Sequence, residues 1–514
     1  TTSLIDNYRT FLANQFKDLP KNRGELWQLS SFNNLLYFHM VDSLFAAKGK
    51  QTMSMGDGSE AAVGSGDIFK QDPDELVQTQ DGYGGTQSQW AALTTRAGYF
   101  FVDRVRGKVF LMQDKLTEIS NVGMETWFRE NLGSALDGLG AINTGACPVI
   151  DNPIIGLGLT AVYDPKYKRI ILTKRDLEPT QAFMTGWNQL NTIPMNPGTI
   201  RFNNNECKYR IFFPGLALPP PAPSTPGTWT NIEWDNEYYF KKTGRTISYF
   251  PELAVWSSFH DYIPYKYFNT TETFYSFTDL YTAYLDGTIS TGGVVSVGGA
   301  DDPFTNWGNR GIWKHNEGEK GVLYQEQPNP DRNYYNFEFE AIHTETKDSN
   351  AIFHNFSFMA DVYDQVGNLI LDAGFTSFYV FNTFQISGDK TSSLLEYLVN
   401  IRRIGNQWNV NRFRDLAALA VDASAYYTPG NPNVVGGIST GTLTTSSTVP
   451  MFTIVGMVET PTAAYSILPP AVKPFQLRKK FIDKWIGIRL IYNNISNNLI
   501  NLHSTAIGAK KLYR

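Results

Sequence analysis

Two stretches of the chain align without a gap, Phe101 to Leu116 (FVDRVRGKVFLMQDKL) and Val162 to Leu177 (VYDPKYKRIILTKRDL). In each, an apolar run reaches an aspartate, passes through a short turn and returns as a second apolar run, the signature of a β-hairpin. The matched positions are Asp103 and Asp164, Lys108 and Arg169, Val109 and Ile170, Leu111 and Leu172, and Leu116 and Leu177. A weaker third copy reads at Leu35-Leu36-Tyr37-Phe38 with Ser43-Leu44-Phe45. A fourth reads at Ile247-Ser248-Tyr249-Phe250, a Pro251-Glu252 turn and Ala254-Val255-Trp256. The two clear copies lie 61 residues apart, somewhat beyond the ~40–50 of common propeller blades. Radial repetition is one way in which antiparallel hairpins protect their edges. The expected fold is therefore all-β: an irregular β-propeller of antiparallel hairpins with an additional β region, long arms and few helices.

Composition agrees with a strand-rich chain. Aromatic residues make up 14% and charged residues only 18%, below the ~25% of ordinary soluble domains. Tyr, Phe and Thr favour pleated, half-buried surfaces. Apolar residues at helical spacing from Gly123 to Gly138 (Met124, Trp127, Phe128, Leu132, Ala135, Leu136) predict one helix. Leu4, Tyr8, Phe11 and Leu12 fit either a helical face or an extended arm.

The chain divides into a hairpin region over 1–213 with the helix near 123–138, a Pro-rich loop over 214–227, and further hairpins over 228–330. A second β region follows over 331–427, then a Gly/Thr-rich loop over 428–450 and basic C-terminal strands over 451–514. A further Gly/Ser/Thr-rich stretch runs from Thr288 to Asp302. Loops this long are uncommon in a compact domain and read as arms that order against neighbouring subunits.

Charge is unevenly placed. Nine basic residues (Lys473, Arg478, Lys479, Lys480, Lys484, Arg489, Lys510, Lys511 and Arg514) face one acid, Asp483, in the closing segment; that leaves −13 for the rest of a chain whose total is −5. The segment reads as an assembly surface that meets acidic neighbours, with DNA or phosphate contact as the alternative; clustered aromatics for base stacking are missing.

Nothing in the sequence marks an enzyme. There is no P-loop, HExxH, GxSxG or dinucleotide-binding glycine motif. The six histidines, His39, His260, His315, His343, His354 and His503, show no metal-ligand spacing. Ser257, Ser258, His260 and Asp261 evoke a triad, but near-consecutive residues on a strand alternate between faces and do not converge. Glu338 and Glu340 share one strand face, and such a pair serves glycoside hydrolysis only across a cleft. The glycine-rich runs at Gly56 to Asp67 and Gly82 to Thr86 open no helix, so they read as turns rather than phosphate cradles; Asp57 and Asp67 match no calcium loop. Cys147 and Cys207 sit in no zinc motif and form no disulfide framework. No apolar run reaches the ~18 residues of a membrane span. Catalytic, cofactor and metal residues are thus expected to be none.

Several segments resemble the muzzle or nozzle ("stabilization") proteins of crAss-like short-tailed phages. They are Val63 to Phe69, Gly82 to Ala91, Gly98 to Arg104, Gly107 to Phe110, Glu118 to Asn121 and Gly123 to Phe128. The likeness returns at Trp256 to Pro264, Trp313 to Asn316, Trp408 to Asp415 and Phe481 to Leu490. The resemblance implies a virion protein of the phage tail, assembled in the bacterial cytoplasm. It implies a homo-oligomeric ring, a hexamer, at the distal tail end that retains packaged double-stranded DNA and releases it at infection. The partners implied are adaptor or tail-hub rings, tail fibres and the DNA in the channel, with no cofactor and no membrane anchor. The absence of an initiator Met before Thr1 reads as the C-terminal product of a cut precursor whose N-terminal part stays bound; a trimmed Met is the simpler alternative. Two other classes compete: a propeller that binds receptor glycans, and a glycan hydrolase.

Overall fold

The computed structural model describes residues 18–33, 35–47, 51–54, 60–63, 72–136, 139, 151, 153, 157–189, 196–203, 205–206, 208–213, 227–234, 236, 238–260, 262–278, 311–317, 337–344, 349–371, 373–375, 377–385, 387, 401–411, 413–415, 452–455, 458–461, 479–492 and 498–512. These residues are all-β in class, with every named strand pairing antiparallel. Among them the only α-helices are α1 (Glu125–Asn131) and α2 (Gln181–Trp187). The segments at Leu4 to Leu12, Thr288 to Asp302 and Thr428 to Pro450, and the Pro-rich loop before Gly227, lie outside the described residues.

The matched hairpins form as the sequence predicts. Strand Gly98–Asp103 pairs with Lys108–Met112, and Gly158–Asp164 pairs with Arg169–Pro179. Each closes directly after its aspartate, with Asp103 opposite Lys108 and Asp164 opposite Arg169. Both aspartates are fully buried and tie their own turns. Asp103 Oδ1 accepts the Arg106 amide at 3.1 Å, and Asp164 Oδ1 accepts the Lys166 amide at 3.1 Å, the Asx-turn chemistry that favours Asp at this position. The fourth copy, Phe240–Phe250 with Val255–His260, closes from Phe250 to Val255. The last loop residue of all three turns is left-handed: Gly107 at φ 65°, Lys168 at 52° and Ala254 at 51°. The third copy pairs Leu35–Met40 with Leu44–Ala46.

The two hairpins enter different sheets. The first is the centre of a four-stranded sheet ordered Leu116–Glu118, Lys108–Met112, Gly98–Asp103, Leu93–Thr95. The second begins a seven-stranded sheet ordered Gly158–Asp164, Arg169–Pro179, Phe240–Phe250, Val255–His260, Phe337–Thr344, Trp485–Tyr492, Ser377–Phe381. That sheet takes strands from both sides of the boundaries read at 330 and 450. Sheet sizes range from two to seven strands, so strand pairing establishes the all-β class without closing the hairpins into a propeller.

Helix α1 packs between the two sheets. Trp127 and Phe128 join Phe100, Val109, Leu172 and Trp256 in the largest buried cluster. The Trp256 ring lies 4.6 Å from Phe128, and its Nε1 donates to the Ile119 carbonyl at 2.9 Å; a buried indole needs such a partner. The predicted helix over 123–138 stops at Asn131 because its apolar residues serve two cores. Leu132 belongs to the first, whereas Leu136 packs with Phe183, Tyr209 and Phe240 in the second. Between them Ser134 Oγ turns to Asp176 at 2.6 Å. Helix α2, which the sequence pattern did not reveal, sits on this second core. Thr180 caps it, accepting the Phe183 amide at 3.3 Å. At the C-terminal end, the 13-residue strands Ala351–Tyr363 and Leu499–Lys511 pair along their full length.

Candidate functional site

The closing basic segment does not fold into one patch. Lys473, Arg478 and Arg514 lie outside the described residues. Arg489, on the interior strand Trp485–Tyr492, is 6% exposed, and its Nη1 donates to Glu340 Oε1 at 2.7 Å on the neighbouring strand. A buried pair of this kind is held by its own geometry, and removing one member is costly. Lys484 reaches Glu125 at 3.6 Å, linking the segment to the start of α1, where an acid also favours the helix dipole. Lys479, Lys480, Lys510 and Lys511 are exposed. They gather near one end of Ala351–Tyr363, because Ala351 and Ile352 are flanked by Asp483 and Ile482 on one side and by Lys511 and Lys510 on the other. No local pattern marks Glu340 and Glu125 as partners, since strand pairing over a long separation sets Glu340 beside Arg489 and tertiary packing of α1 brings Glu125 to Lys484.

Ser258 and His260 belong to a polar network beside the second hairpin. Ser258 Oγ and His260 Nε2 share one strand face at 3.4 Å, an i, i+2 relation within the run that the sequence reading treated as divergent. Asp261 and the Glu338 side chain lie outside the described residues. Burial pushes His260 down to about 3, and the Arg169 and His315 charges push the same way. Arg169 itself is committed to Asp164, Nε to Oδ2 at 2.9 Å, and Asn316 Nδ2 donates to Asp164 Oδ1 at 3.0 Å. His315 stacks on Phe274 at 4.2 Å and bonds Ser276 Oγ at 2.7 Å. Burial likewise lowers His315 to about 4, with Asp164 opposing and Arg169 reinforcing. A triad base needs a carboxylate behind the imidazole; the groups that perturb His260 electrostatically are Arg169 and His315, neither of them a carboxylate. The network fixes the loop carrying His315 and Asn316 to the seven-stranded sheet.

Glu340, from the carboxylate pair considered for glycoside hydrolysis, holds Arg489. No group of three or more His, Cys, Asp or Glu side chains suited to a metal ion occurs among the described residues. Cys147, Cys207, Asp57 and Asp67 lie outside them. No helix of the described residues is long and apolar enough to cross a membrane.

No curated protein matches the chain. Residues 1–280 match the family described as Crassvirus muzzle protein. The matched span includes both hairpins, α1, α2 and the strand carrying His260. With more than half of its 514 residues matched, the chain belongs to the crAss-like phage muzzle proteins, a family of structural components of the virion tail.

Proposed function

We propose that the chain is the subunit of a distal ring, a hexamer, that closes the tail channel, retains packaged double-stranded DNA and lets it pass at infection. The family match over residues 1–280 carries this reading. The electrostatics agree with a channel along which DNA must slide. The chain totals −5, and two of its C-terminal cations, Arg489 and Lys484, are paired with Glu340 and Glu125 within the chain. In this reading its neighbours are adaptor or hub rings and tail fibres, and it performs no catalysis. Electron microscopy of virions with antibody against this chain tests the placement: label at the distal tail end supports it, and label on the capsid overturns it. Duplex affinity tests the sliding role. The expected dissociation constant is no tighter than the non-specific range, about 10⁻⁴–10⁻⁶ M at physiological salt, whereas nanomolar binding indicates a clamp.

A second reading, binding of receptor glycans, has one observation in its favour. On the small sheet of Lys266–Asn269, Phe274–Thr278 and Gly311–Lys314, the Phe268 and Tyr275 rings stack at 4.5 Å with 2° between planes. Phe268 is 41% exposed and Ile312 59%. A flat aromatic surface of this kind suits a sugar ring, and a glycan-array screen of the full chain separates the readings.

A further inference from the structure

The sheet that begins with Leu26–Phe32 has one covered face and one apolar face that opens to solvent at its edge. Tyr37 and His39 point into the core, where His39 Nε2 and the Tyr99 hydroxyl are hydrogen-bonded at 2.7 Å and the Tyr37 ring stacks on Tyr99. Their strand neighbours Leu36, Phe38 and Met40 therefore lie on the opposite face. Leu29 pairs with Phe38, and the bulge at Trp27 brings Leu26 opposite Met40, so both leucines share that outer face. Leu26 is 48% and Leu29 53% exposed, while Leu36 and Phe38 are half-buried. Leu26–Phe32 is also the terminal strand of its sheet.

We infer that the N-terminal segment of the same chain, Leu4 to Phe16, docks on this face as an amphipathic helix. Residues 1–17 lie outside the described residues, and the sequence argues the occupant. Leu4, Ile5, Tyr8, Phe11, Leu12 and Phe16 fall within an arc of about 140° at helical spacing, which Gln15 alone interrupts. Ser3 with Asp6 three residues on is a helix-start signature. The lengths match. The 13 residues from Leu4 to Phe16 span about 20 Å as a helix, and the seven-residue strand Leu26–Phe32 spans about the same. The point of entry also fits. Arg23, just before Leu26, is pinned by the Thr79 and Gln80 carbonyls and by Glu75, and the nine residues from Lys17 to Glu25 suffice to reverse the chain. The helix then runs antiparallel to the strand, with Phe16 toward Leu26, Tyr8 over Leu29 and Leu4 toward Phe32. A helix laid over an edge strand withholds it from other chains. The inference stands independently of the ring reading.

Cysteine labelling in the full chain tests it, with Cys147 and Cys207 replaced by serine. Leu29→Cys should react with a maleimide about tenfold more slowly than in a chain lacking residues 1–17, the scale of a weakly held local element. Tyr8→Asp with Leu12→Asp should raise labelling to the truncated rate. Asn7→Asp with Thr10→Asp, on the polar side of the segment, should leave it slow. Val380→Cys, buried in the seven-stranded sheet, should stay unreactive in every chain, which separates release of the segment from loss of the fold. Trapping supplies the second readout and needs no truncation: Tyr8→Cys with Leu29→Cys should form a disulfide within one chain on oxidation. Labelling at Leu29 that is as fast in the full chain as in the truncated one overturns the inference, as does equal release by the polar-side pair. A disulfide-linked dimer overturns it by placing the segment on a second copy, and failure to form any disulfide overturns it by leaving the face uncovered.

Discussion

The two matched hairpins close through turns of the same length and handedness, yet one ends in Gly107 and the other in Lys168. The difference lies in what touches the turn. A Cβ on Gly107 would lie 2.4 Å from the Arg129 Cα and 3.0 Å from the Phe128 carbonyl, both backbone of α1. Over Lys168 there is solvent, and its Nζ reaches Glu252 Oε1 on the next hairpin's turn at 2.9 Å. Left-handed backbone alone does not demand glycine here, as Lys168 and Ala254 demonstrate. Close approach of a helix does.

The largest expected effect breaks that contrast at its source. Gly107→Ala drives a methyl into α1 backbone, which cannot rotate away, and displaces Trp127 and Phe128 from the main core. A cost of about 3 kcal/mol follows, the scale of overpacking with backbone shift. A denaturation midpoint followed by tryptophan fluorescence measures it. If Gly107→Ala leaves that midpoint unchanged, the helix contact is not what selects glycine.

The aspartates sharpen the comparison next. Asp164 holds two turn amides, the Arg169 guanidinium and the Asn316 amide, so it joins a turn, a strand and a distant loop. Asp103 holds its own turn, Gln87 and Arg106, and burial raises its carboxyl above the usual range while these partners pull it back. Asp164→Ala leaves Arg169, whose side chain is 16% exposed, without its counter-charge, and should cost about 3 kcal/mol. Asp103→Asn keeps acceptors for the turn and should cost about 1 kcal/mol. Equal losses from the two variants would show that the turns, and not the distant loop, set the cost.

Local chemistry explains which parts of this fold were legible. An aspartate, four loop residues and two apolar runs specify a hairpin within about fifteen residues, and all four hairpins read from sequence are present. Sheet membership is different. Phe337–Thr344 lies beside Val255–His260 and Trp485–Tyr492 beside Phe337–Thr344, pairings across long separations that no local pattern encodes. Helix α2 is seven residues long and contains Gly186, which removes the periodic signal. The basic segment was legible as a count of charges, whereas burial of Arg489 against Glu340 depends on those same non-local pairings.

Both hairpins rest beside histidines that stay neutral when folded, which gives a pH test of intermediate size. Burial lowers His39, next to the first hairpin, to about 3, and His260 and His315 beside the second to about 3 and 4. Each folded value lies below the unfolded value near 6.5. Folding stability is therefore complete above about pH 6.5 and is lost as pH falls toward those values, by at most about 1.4 kcal/mol per unit for each group. Asp151 acts in the opposite sense, because burial raises it to about 6; its folded form resists ionisation, so its contribution is lost as pH rises from about 4 through 6. Burial lowers His343 as well and raises Asp103 and Asp483 in the same sense as Asp151; the four histidines, whose unfolded forms take up their protons in this range, outweigh the three carboxyls, and the denaturation midpoint should fall from pH 7 to pH 5. His315→Gln should flatten that slope. An unchanged slope would mean that the second hairpin's network is already open to water.

The smallest expected effect is at Lys168, and its smallness is the point. A non-glycine residue in the left-handed region carries a strain of roughly 1–2 kcal/mol, which glycine relieves. Glycine also widens the unfolded ensemble and gives back much of that gain. The ion pair lost in Lys168→Gly is exposed on both sides, 63% and 68%, and such pairs contribute little and are screened by salt. The terms nearly cancel, so the melting midpoint should move by no more than about 1–2 °C, equally at low and high salt. A larger fall confined to low salt would show that the Lys168–Glu252 contact fastens the second and fourth hairpins to each other. The left-handed position would then be under selection in both matched turns, through helix packing at Gly107 and through charge at Lys168.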